Sequence, residues 1–575
     1  MNFSIIKSMS QINQSNKVDY LDISKASYHE RISAAALQGL ANRAGAHVFL
    51  EYGIYDDPLA RRTNEDFMDD KMWYGKYRAL LGNQDERNFE YYQKEHGFKV
   101  DKVKTLSELV NKYHGLLKGI VVWDFSEADT VNLALMLAAQ QDLLPVEASL
   151  LGESFAAGLP ILHDLRKRWP DRAAMYEWAF NELFPKCKTG YIACIEPAWQ
   201  RPEFIDFVVQ NNIFVYSLSS LEKGLGSTLL MLLAFGPTWL RELIFALRLD
   251  GLLRRFGISW MAKRNPEIAL NDRIQRSVKS DTYPTIFGWH TKRDDELSFM
   301  LMLSANGLRL VPSHLAGNFS FHSQVKPLGS VENKPIVHEK LDPEGIYITF
   351  TLSDGDQLMM MSTAELGNWY SENRGKIPFN WECQPLLTEL APALLEKFQR
   401  GAYSSDCLVA GPSGAGYIVP PLAPNLPAYM RETNRVCKKA GISVVTTYVA
   451  DPPRRVLRQL NRFSDGLVGY LAGYAIVNRA PQQWLGRVPL VANEVPTVAQ
   501  IWDQPKKLLE SVRQITETSR KRPRFIGVHL FAYRTTLDDV ADFVATLTDP
   551  HIHIVRGDAF LDLTIKSLRR KTNGK

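Results

Sequence analysis

Cysteine is scarce in this chain: five residues in 575, with no C-x-x-C pair. Cys187, Cys194, Cys383, Cys407 and Cys437 therefore outline neither a disulfide framework nor a cysteine zinc site. Charge of one sign is lacking too, with 68 Lys and Arg against 63 Asp and Glu and a net charge of +5. Spread over this length, that leaves no electrostatic footprint for nucleic acid. Short basic runs such as Arg454-Arg455 and Arg569-Arg570-Lys571 read as solvated surface. Long apolar runs are missing. The longest, residues 228–240, holds Gly236-Pro237 and falls short of the roughly 20 residues a membrane span needs. A buried helix broken at Pro237 is expected there, and no membrane partner. Met1 to Gln11 contains no apolar stretch of the signal-peptide kind, so a cytoplasmic chain is expected. No G-x-G-x-x-G follows a strand pattern, and no G-x-x-x-x-G-K-[ST] occurs, so no nucleotide cofactor is implied.

What is there is an ordinary globular balance, 45% hydrophobic and 23% charged, over a length that suits several domains. The N-terminal half alternates helical and extended patterns. Ser33–Asn42 reads as a helix and His47–Tyr52 as a strand. Gly119–Asp124, Tyr191–Glu196 and Ile213–Ser217 are short apolar runs of the buried parallel kind. N-terminal α/β units over 1–250 and a middle α/β segment over 251–330 are expected. From 331 to 575 the alternation becomes regular. Strands are expected at Tyr347–Ser353, Ile377–Trp381, Cys407–Ala410, Ile442–Tyr448, Gly466–Leu471, Val488–Val491, Phe525–Phe531 and His551–Val555. Helical patterns at Leu386–Phe398, Pro427–Ala440, Pro505–Thr516 and Leu537–Leu547 fit between them. Eight strands alternating with helices over this length predict a C-terminal (β/α) TIM-like barrel.

In such a barrel the chemistry sits at the carboxyl ends of the strands. The first strand runs into Ser353-Asp-Gly-Asp-Gln357. Residues i and i+2 of an extended end point the same way, roughly 6–7 Å apart. Asp354 and Asp356 could thus split their pKa values, one ionised and one protonated. Glycoside hydrolysis uses such a pair, and a hard divalent cation can bind one. An acidic turn would have the same residues. Glu382 follows Trp381 at the second strand, and Glu494 ends Val491-Ala-Asn-Glu494; either would serve as general acid. Asp451 and Asp558 also fall near strand ends, whereas Asp406 precedes its strand and should be structural.

The third strand leads into Gly411-Pro-Ser-Gly-Ala-Gly-Tyr-Ile-Val-Pro-Pro421. Its glycines imply positive φ or close backbone approach. Gly411 to Ala415 nearly meets the nucleophile-elbow pattern, but Tyr-Ile-Val-Pro-Pro cannot form the helix an elbow requires, so Ser413 is a poor nucleophile. The loop is better suited to placing Tyr417 and backbone groups of Gly414 and Gly416 over the mouth. Trp381, Tyr417 and Trp289 could stack on a sugar face, although large aromatics more often fill cores. His551-Ile-His553 would put two rings on one strand face without a recognisable ligand set, so no metal site is assigned. His529 and Tyr533 flank the seventh strand.

Together, Ser353-Asp-Gly-Asp-Gln357, Asn380-Trp381 with Pro385, and Gly414-Ala-Gly-Tyr-Ile-Val-Pro420 resemble the GxGYxYP family. Ala36–Asn42, Gly288-Trp289 followed by Glu296, and Asn318-Phe-Ser320 extend the resemblance over most of the chain. Two positions depart from the family pattern: Val419 replaces the second tyrosine of the naming motif, and Gln357 replaces the usual asparagine. The resemblance implies a glycoside hydrolase acting on a carbohydrate. Asp354 and Asp356 would form the acidic centre, with Glu494 or Glu382 as acid. Trp381, Tyr417, Trp289, Ser413, Gly414 and Gly416 would shape the substrate site. A separation of roughly 5–5.5 Å between the working carboxylates would mean retention, and roughly 6.5–9.5 Å inversion. The alternative is a non-catalytic protein that binds a carbohydrate or a cation with the same groups. The oligomeric state is left open.

Overall fold

A strand buried on both faces must be apolar throughout, and Gly119-Ile-Val-Val-Trp123 is such a run, with all five residues buried. The computed structural model of the chain describes residues 16–53, 84–202, 204–220, 222–314, 316–329, 338–353, 358, 365–473, 483–494, 504–532 and 535–573. The first part builds three small parallel sheets. One joins β1 (Lys17–Asp22), β2 (Val48–Glu51) and β3 (Lys99–Val103) in the order β2-β1-β3. Helix α1 (Tyr28–Ala41) starts at a Ser27 cap, closed reciprocally by Glu30, and buries its last ten residues. Gly39 lets α1 touch the next layer, since a Cβ there would overlap the Asp206 carbonyl oxygen.

A second sheet, β5-β4-β6, holds β4 (Gly119–Trp123), β5 (Leu143–Glu147) and β6 (Ile161–Asp164), with α2 (Thr130–Gln141) crossing between β4 and β5. The third holds β7 (Tyr191–Cys194), β8 (Phe214–Tyr216), β9 (Thr285–Gly288) and β10 (Arg309–Pro312) in the order β10-β9-β7-β8. Four helices fill the long β8–β9 connection: α3 (Leu225–Phe235), α4 (Thr238–Ala246), α5 (Asp250–Ala262) and α6 (Pro266–Ser277). The expected division after residue 250 thus falls inside one crossover of one sheet. As expected, the helix breaks at Gly236-Pro237. The expected burial holds on one face only: Leu230, Leu233 and Ala234 are in the core, whereas Trp239, just beyond the break, is 71% exposed. Helix α7 (Glu296–Ala305) joins β9 to β10.

The C-terminal part is a nearly closed parallel barrel. Its staves are β11 (Ile346–Ser353), β12 (Phe379–Cys383), β13 (Asp406–Ala410), β14 (Val444–Thr447), β15 (Gly469–Ala472), β17 (Pro489–Ala492) and β18 (Arg524–Phe531). A short β16 (Gln483–Leu485) pairs antiparallel with β17. The seam closes where Asn493 bridges Gly527 and the Glu494 N–H donates to the Gly527 carbonyl at 3.0 Å. All eight expected strands recur, with ends moved by at most three residues. The eighth, β19 (Ile552–Ile554), departs from regular barrel order. It pairs with the foot of β11 at Ile346–Ile348, on the side where β12 takes over at Thr351. Helices α8 (Pro392–Gly401), α9 (Leu426–Ala440), α10 (Arg454–Arg462), α11 (Pro505–Thr518) and α12 (Leu537–Ala545) lie between staves, and α13 (Gly557–Asn573) follows β19. The expected helix at Leu386–Phe398 is interrupted before Pro392, whose ring disfavours helical geometry in the preceding residue.

Neighbours in register across a parallel pair share a face. The register therefore sends Tyr347, Thr349, Thr351, Asn380, Glu382, Val409, Thr446, Leu471, Val491, Phe525 and His529 to one side, the barrel interior. The lower half of that interior is apolar and sealed by α13: Tyr347, Val409, Val444, Leu471, Val491 and Phe525 pack with Phe560 and Leu563. The upper half is polar.

Candidate active site

The polar half begins with Asn380, whose amide donates to the Thr349 and Thr351 hydroxyls at 2.8 and 3.1 Å and accepts the Gly557 N–H at 2.7 Å. Two residues on, at the carboxyl end of β12, Glu382 is buried and accepts the Thr446 hydroxyl of β14. Gly411 lies between them. A Cβ there would overlap Glu382 Oε1 and Thr446 Oγ1, so this glycine of the loop leaves room for a carboxylate. His529 on β18 stands beside Thr351 in register, and burial pushes it down to about 3, so its ring is neutral at pH 7. The Ser353 hydroxyl at the top of β11 is buried and finds no partner among the described residues. Asp354 and Asp356 follow it directly and lie outside the described residues, as does Tyr533.

The loop after β13 forms the wall between barrel and middle domain. Tyr417 exchanges backbone hydrogen bonds with Leu310 of β10 at 2.7 and 2.9 Å. Its hydroxyl donates to Glu296 Oε1 at 2.7 Å, and its ring lies 5.1 Å from that of Tyr448, the residue after β14. Burial and then the Glu296 charge raise the Tyr448 hydroxyl well above the ordinary tyrosine range. Gly414 and Gly416 take φ of +101° and +103°. A Cβ on Gly416 would press on Arg309, 2.9 Å from its Cδ. Buried Arg309 donates to the Ala415 carbonyl at 3.1 Å and pairs with Glu432 of α9 at 3.2 Å. Gly416 thus allows β10 to dock on the loop, while Gly414 makes room for Thr433 of α9.

Several expected positions have other duties. Trp381 is fully buried on the outer side of the barrel, donates to Asp406 Oδ1 at 2.9 Å and packs on Phe379 and Trp369, so it offers no face to a sugar. Its neighbours Asn380 and Glu382 take the inward parity instead. Asp406 is structural at the foot of β13, as expected. Ser413, at φ +70°, donates to the Ile418 carbonyl at 2.8 Å and accepts the Tyr448 N–H at 3.3 Å, which commits its hydroxyl to its own loop. Glu494 is paired with Arg524, the first residue of β18, and the pair braces the barrel seam. Its pKa is raised by burial and held back by Arg524. Asp451 pairs with buried Arg241 at 2.7 Å and Asp558 with Arg556 at 2.6 Å. Asp342 accepts from both His551 and His553, an acid partner not evident from spacing.

Tyr417 is buried and presents its edge through the Glu296 contact rather than an open platform. Trp289 is half-buried elsewhere, at the carboxyl edge of the middle sheet, 4.6 Å from the His314 ring. It lines a cleft with Trp199, His290, Arg201 and Ser313 where β7 and β9 diverge. Strand order reverses there, the place where open α/β sheets receive ligands. Among the described residues, no group of three His, Cys, Asp or Glu could hold a metal ion. Sequence reasoning missed Thr446 and Tyr448, and met Glu296 only through the family resemblance. Thr446 could have been found by parity, since it alternates with Val444 on a strand already expected.

Three family models match the chain: the GxGYxYP putative glycoside hydrolase C-terminal domain over 344–564, the GxGYxYP_N second domain over 117–187 and the GxGYxYP third domain over 251–324. No curated protein matches in sequence. The chain is similar in structure to a putative hydrolase from Bacteroides thetaiotaomicron VPI-5482, with a TM-score of 0.73 and 18% identity over 96% of this chain and 95% of that one. At that identity the likeness speaks for the fold. A putative polysaccharide deacetylase from Mycobacterium smegmatis aligns at a TM-score of 0.28 and 10% identity, over 41% of this chain and 96% of that one, too remote to carry an argument.

Proposed function

The chain belongs to the GxGYxYP putative glycoside hydrolase family, and on that premise we propose that it cleaves a glycosidic bond of a carbohydrate at the carboxyl mouth of its barrel. The observation that carries this is the asymmetry of the barrel interior: apolar and sealed by α13 below, polar above, with buried Glu382 near the mouth. Asp354 and Asp356, which follow Ser353 in the sequence, would supply the nucleophile or base. Glu382 would supply the acid. Its place inside the barrel at the carboxyl end of β12, held by the Thr446 hydroxyl, is what suits it to that role. Glu494 suits that role less, because its charge is already met by Arg524. Glu296, with Tyr417, would flank the substrate from the middle domain, and Trp289 would offer a stacking face outside the centre.

The test is product release from a broad panel of glycans and aryl glycosides, with and without Ca²⁺ or Mg²⁺. Wild type would be compared with Asp354→Asn, Asp356→Asn and Glu382→Gln, each confirmed folded by thermal melting. Turnover lost at least a hundredfold in the aspartate variants supports a hydrolase centred there. A glycan or cation that raises the wild-type melting temperature while no product forms in any protein would replace the hydrolase with a binding protein.

A further inference from the structure

Helices α4 and α5 are apolar on two faces, one buried and one exposed. Their charged side chains turn inward: Arg241 pairs with Asp451 at 2.7 Å, Asp250 with Arg455 at 3.2 Å, and Arg255 with Asp272 at 3.1 Å. Buried Arg254 donates to the Leu422 carbonyl at 3.1 Å, and Glu242 accepts the Arg454 N–H at 2.9 Å. One apolar set, Ile244, Phe245, Ile258 and Met261, packs inward, and a second set turns outward. Trp239, Leu243 and Leu247 follow one another at four-residue steps along α4, and Leu249, Leu252 and Phe256 continue the face onto α5. These six are among only eleven exposed large apolar side chains of the described residues, and Trp239 and Leu252 are 71% and 68% exposed. Single exposed leucines need no explanation, but a contiguous patch does. A helix that keeps its charges in ion pairs with the protein and exposes a second apolar face is matched to apolar surroundings.

The rim of the patch is cationic. Lys223, Arg248, Lys263 and Arg264 are exposed, whereas every acid between residues 222 and 265 is withdrawn from the surface to some degree. Among the described residues, no single helix is long and apolar enough to cross a bilayer. Helices α3 and α4 together have the length and composition, but they bend by 96° between them, a shape that suits lying in a surface. A second copy of the chain is the poorer occupant, because a two-fold contact through this face would set Arg248 and its cationic neighbours against their own kind.

We propose that α4 and α5 dock the protein on an anionic lipid bilayer, with the Trp239–Phe256 face in the interfacial region and the cationic rim on lipid phosphates. The docking is independent of the glycosidase assignment. The loop after β14 carries Asp451 and ties this face to the barrel, so a docked protein would hold its barrel at a fixed attitude to the membrane.

The test is co-sedimentation of the full chain with vesicles of phosphatidylcholine alone and with one part in three of phosphatidylglycerol, plus light scattering without lipid. Wild type should pellet with the anionic vesicles, at least tenfold less with the neutral ones, and less in high salt. A Leu243→Ser, Leu247→Ser, Leu252→Ser triple variant, melting no lower than wild type, should stay in the supernatant. Arg248→Glu should weaken the anionic preference alone. Wild type that ignores both vesicles, or a triple variant that pellets like wild type, overturns the proposal. So does a lipid-free dimer that the triple variant dissolves without any vesicle binding by wild type.

Discussion

The Tyr417 hydroxyl and Glu296 Oε1 meet at 2.7 Å across 121 positions of sequence, and the contact joins the glycine-rich loop of the barrel to the first turn of α7 in the middle domain. The hydrogen bond favours the ionised carboxylate. Tyr417→Phe removes it, together with the hydroxyl's hydrogen bond to Tyr448, and keeps the ring. The variant should fold, lose about 1 kcal/mol, and leave the Glu296 carboxylate without this donor. If Glu296 takes part at the substrate site, the acid limb of the turnover profile should move to higher pH in Tyr417→Phe. A profile identical to that of wild type would leave the contact structural only.

Gly411 is required for space rather than for backbone angle. Its Cβ position is already taken by Glu382 Oε1 and Thr446 Oγ1. Gly411→Ala should cost about 1–3 kcal/mol through overpacking and displace the carboxylate. Thr446→Val, which leaves the space alone but removes the hydroxyl donor, should cost a similar amount by leaving a buried acceptor short of a partner. Both are read by chemical denaturation, and melting within a degree of wild type for Gly411→Ala would contradict the close approach.

Much of this was legible beforehand, and the exceptions share a cause. The eight barrel strands could be read because each is an apolar run bounded by turn residues and followed by a helical pattern. Strand facing could be read in part: Asn380 and Glu382 differ from Trp381 by one residue, so inward carboxylate and outward tryptophan follow from period two once either face is known. Taking Trp381 and Glu382 into one site ignored that parity. Pairings across hundreds of residues were not legible. The wedge of β19 against β11, the Glu494–Arg524 brace and the Tyr417–Glu296 contact depend on register and docking, which no local pattern encodes. The family segments make the same point. Gln38 of α1 donates to Asn318 Oδ1 at 2.7 Å and Asn42 donates to the Ser320 hydroxyl at 3.0 Å, so two motifs some 280 residues apart form one buried network. Sequence showed the motifs and hid their partnership. The apolar run near Pro237 shows the reverse case, where helix and break were legible but the exposed face was not, because exposure depends on which face the neighbours charge.

Arg309 links three parts of the molecule: Thr285 of β9 at 2.8 Å, the Ala415 carbonyl at 3.1 Å and Glu432 at 3.2 Å. Arg309→Met keeps the stem and deletes the charge. Removing one partner of a buried pair typically costs about 3–5 kcal/mol. Arg435 still holds Glu432 at 2.7 Å, so the lower end is expected, with the Gly414–Tyr417 loop becoming sensitive to limited proteolysis. A loss under about 1 kcal/mol with an uncut loop would show that backbone pairing of Leu310 with Tyr417 suffices to dock the domains.

His322 should make the fold acid-sensitive. It is buried 2.7 Å from the Tyr92 hydroxyl, and burial, helped by Lys397, pushes its pKa down to about 3 from the ordinary 6.5. Between those values the unfolded chain takes up a proton that the folded one refuses. Stability from the neutral ring is therefore complete above about pH 6.5 and is lost as pH falls toward 3, at no more than about 1.4 kcal/mol per pH unit. His529, with the same depressed pKa, adds a second slope of the same sign. The difference between wild type and His322→Gln cancels that second slope and the titration of unrelated carboxylates. Wild type should lose stability faster than His322→Gln between pH 6.5 and 4.5 in urea unfolding, although the variant starts lower at pH 7 for want of the Tyr92 contact. Parallel losses would mean that His322 accepts its proton in the folded state, and that the aromatic cluster around Phe321 and Tyr92 opens to admit it.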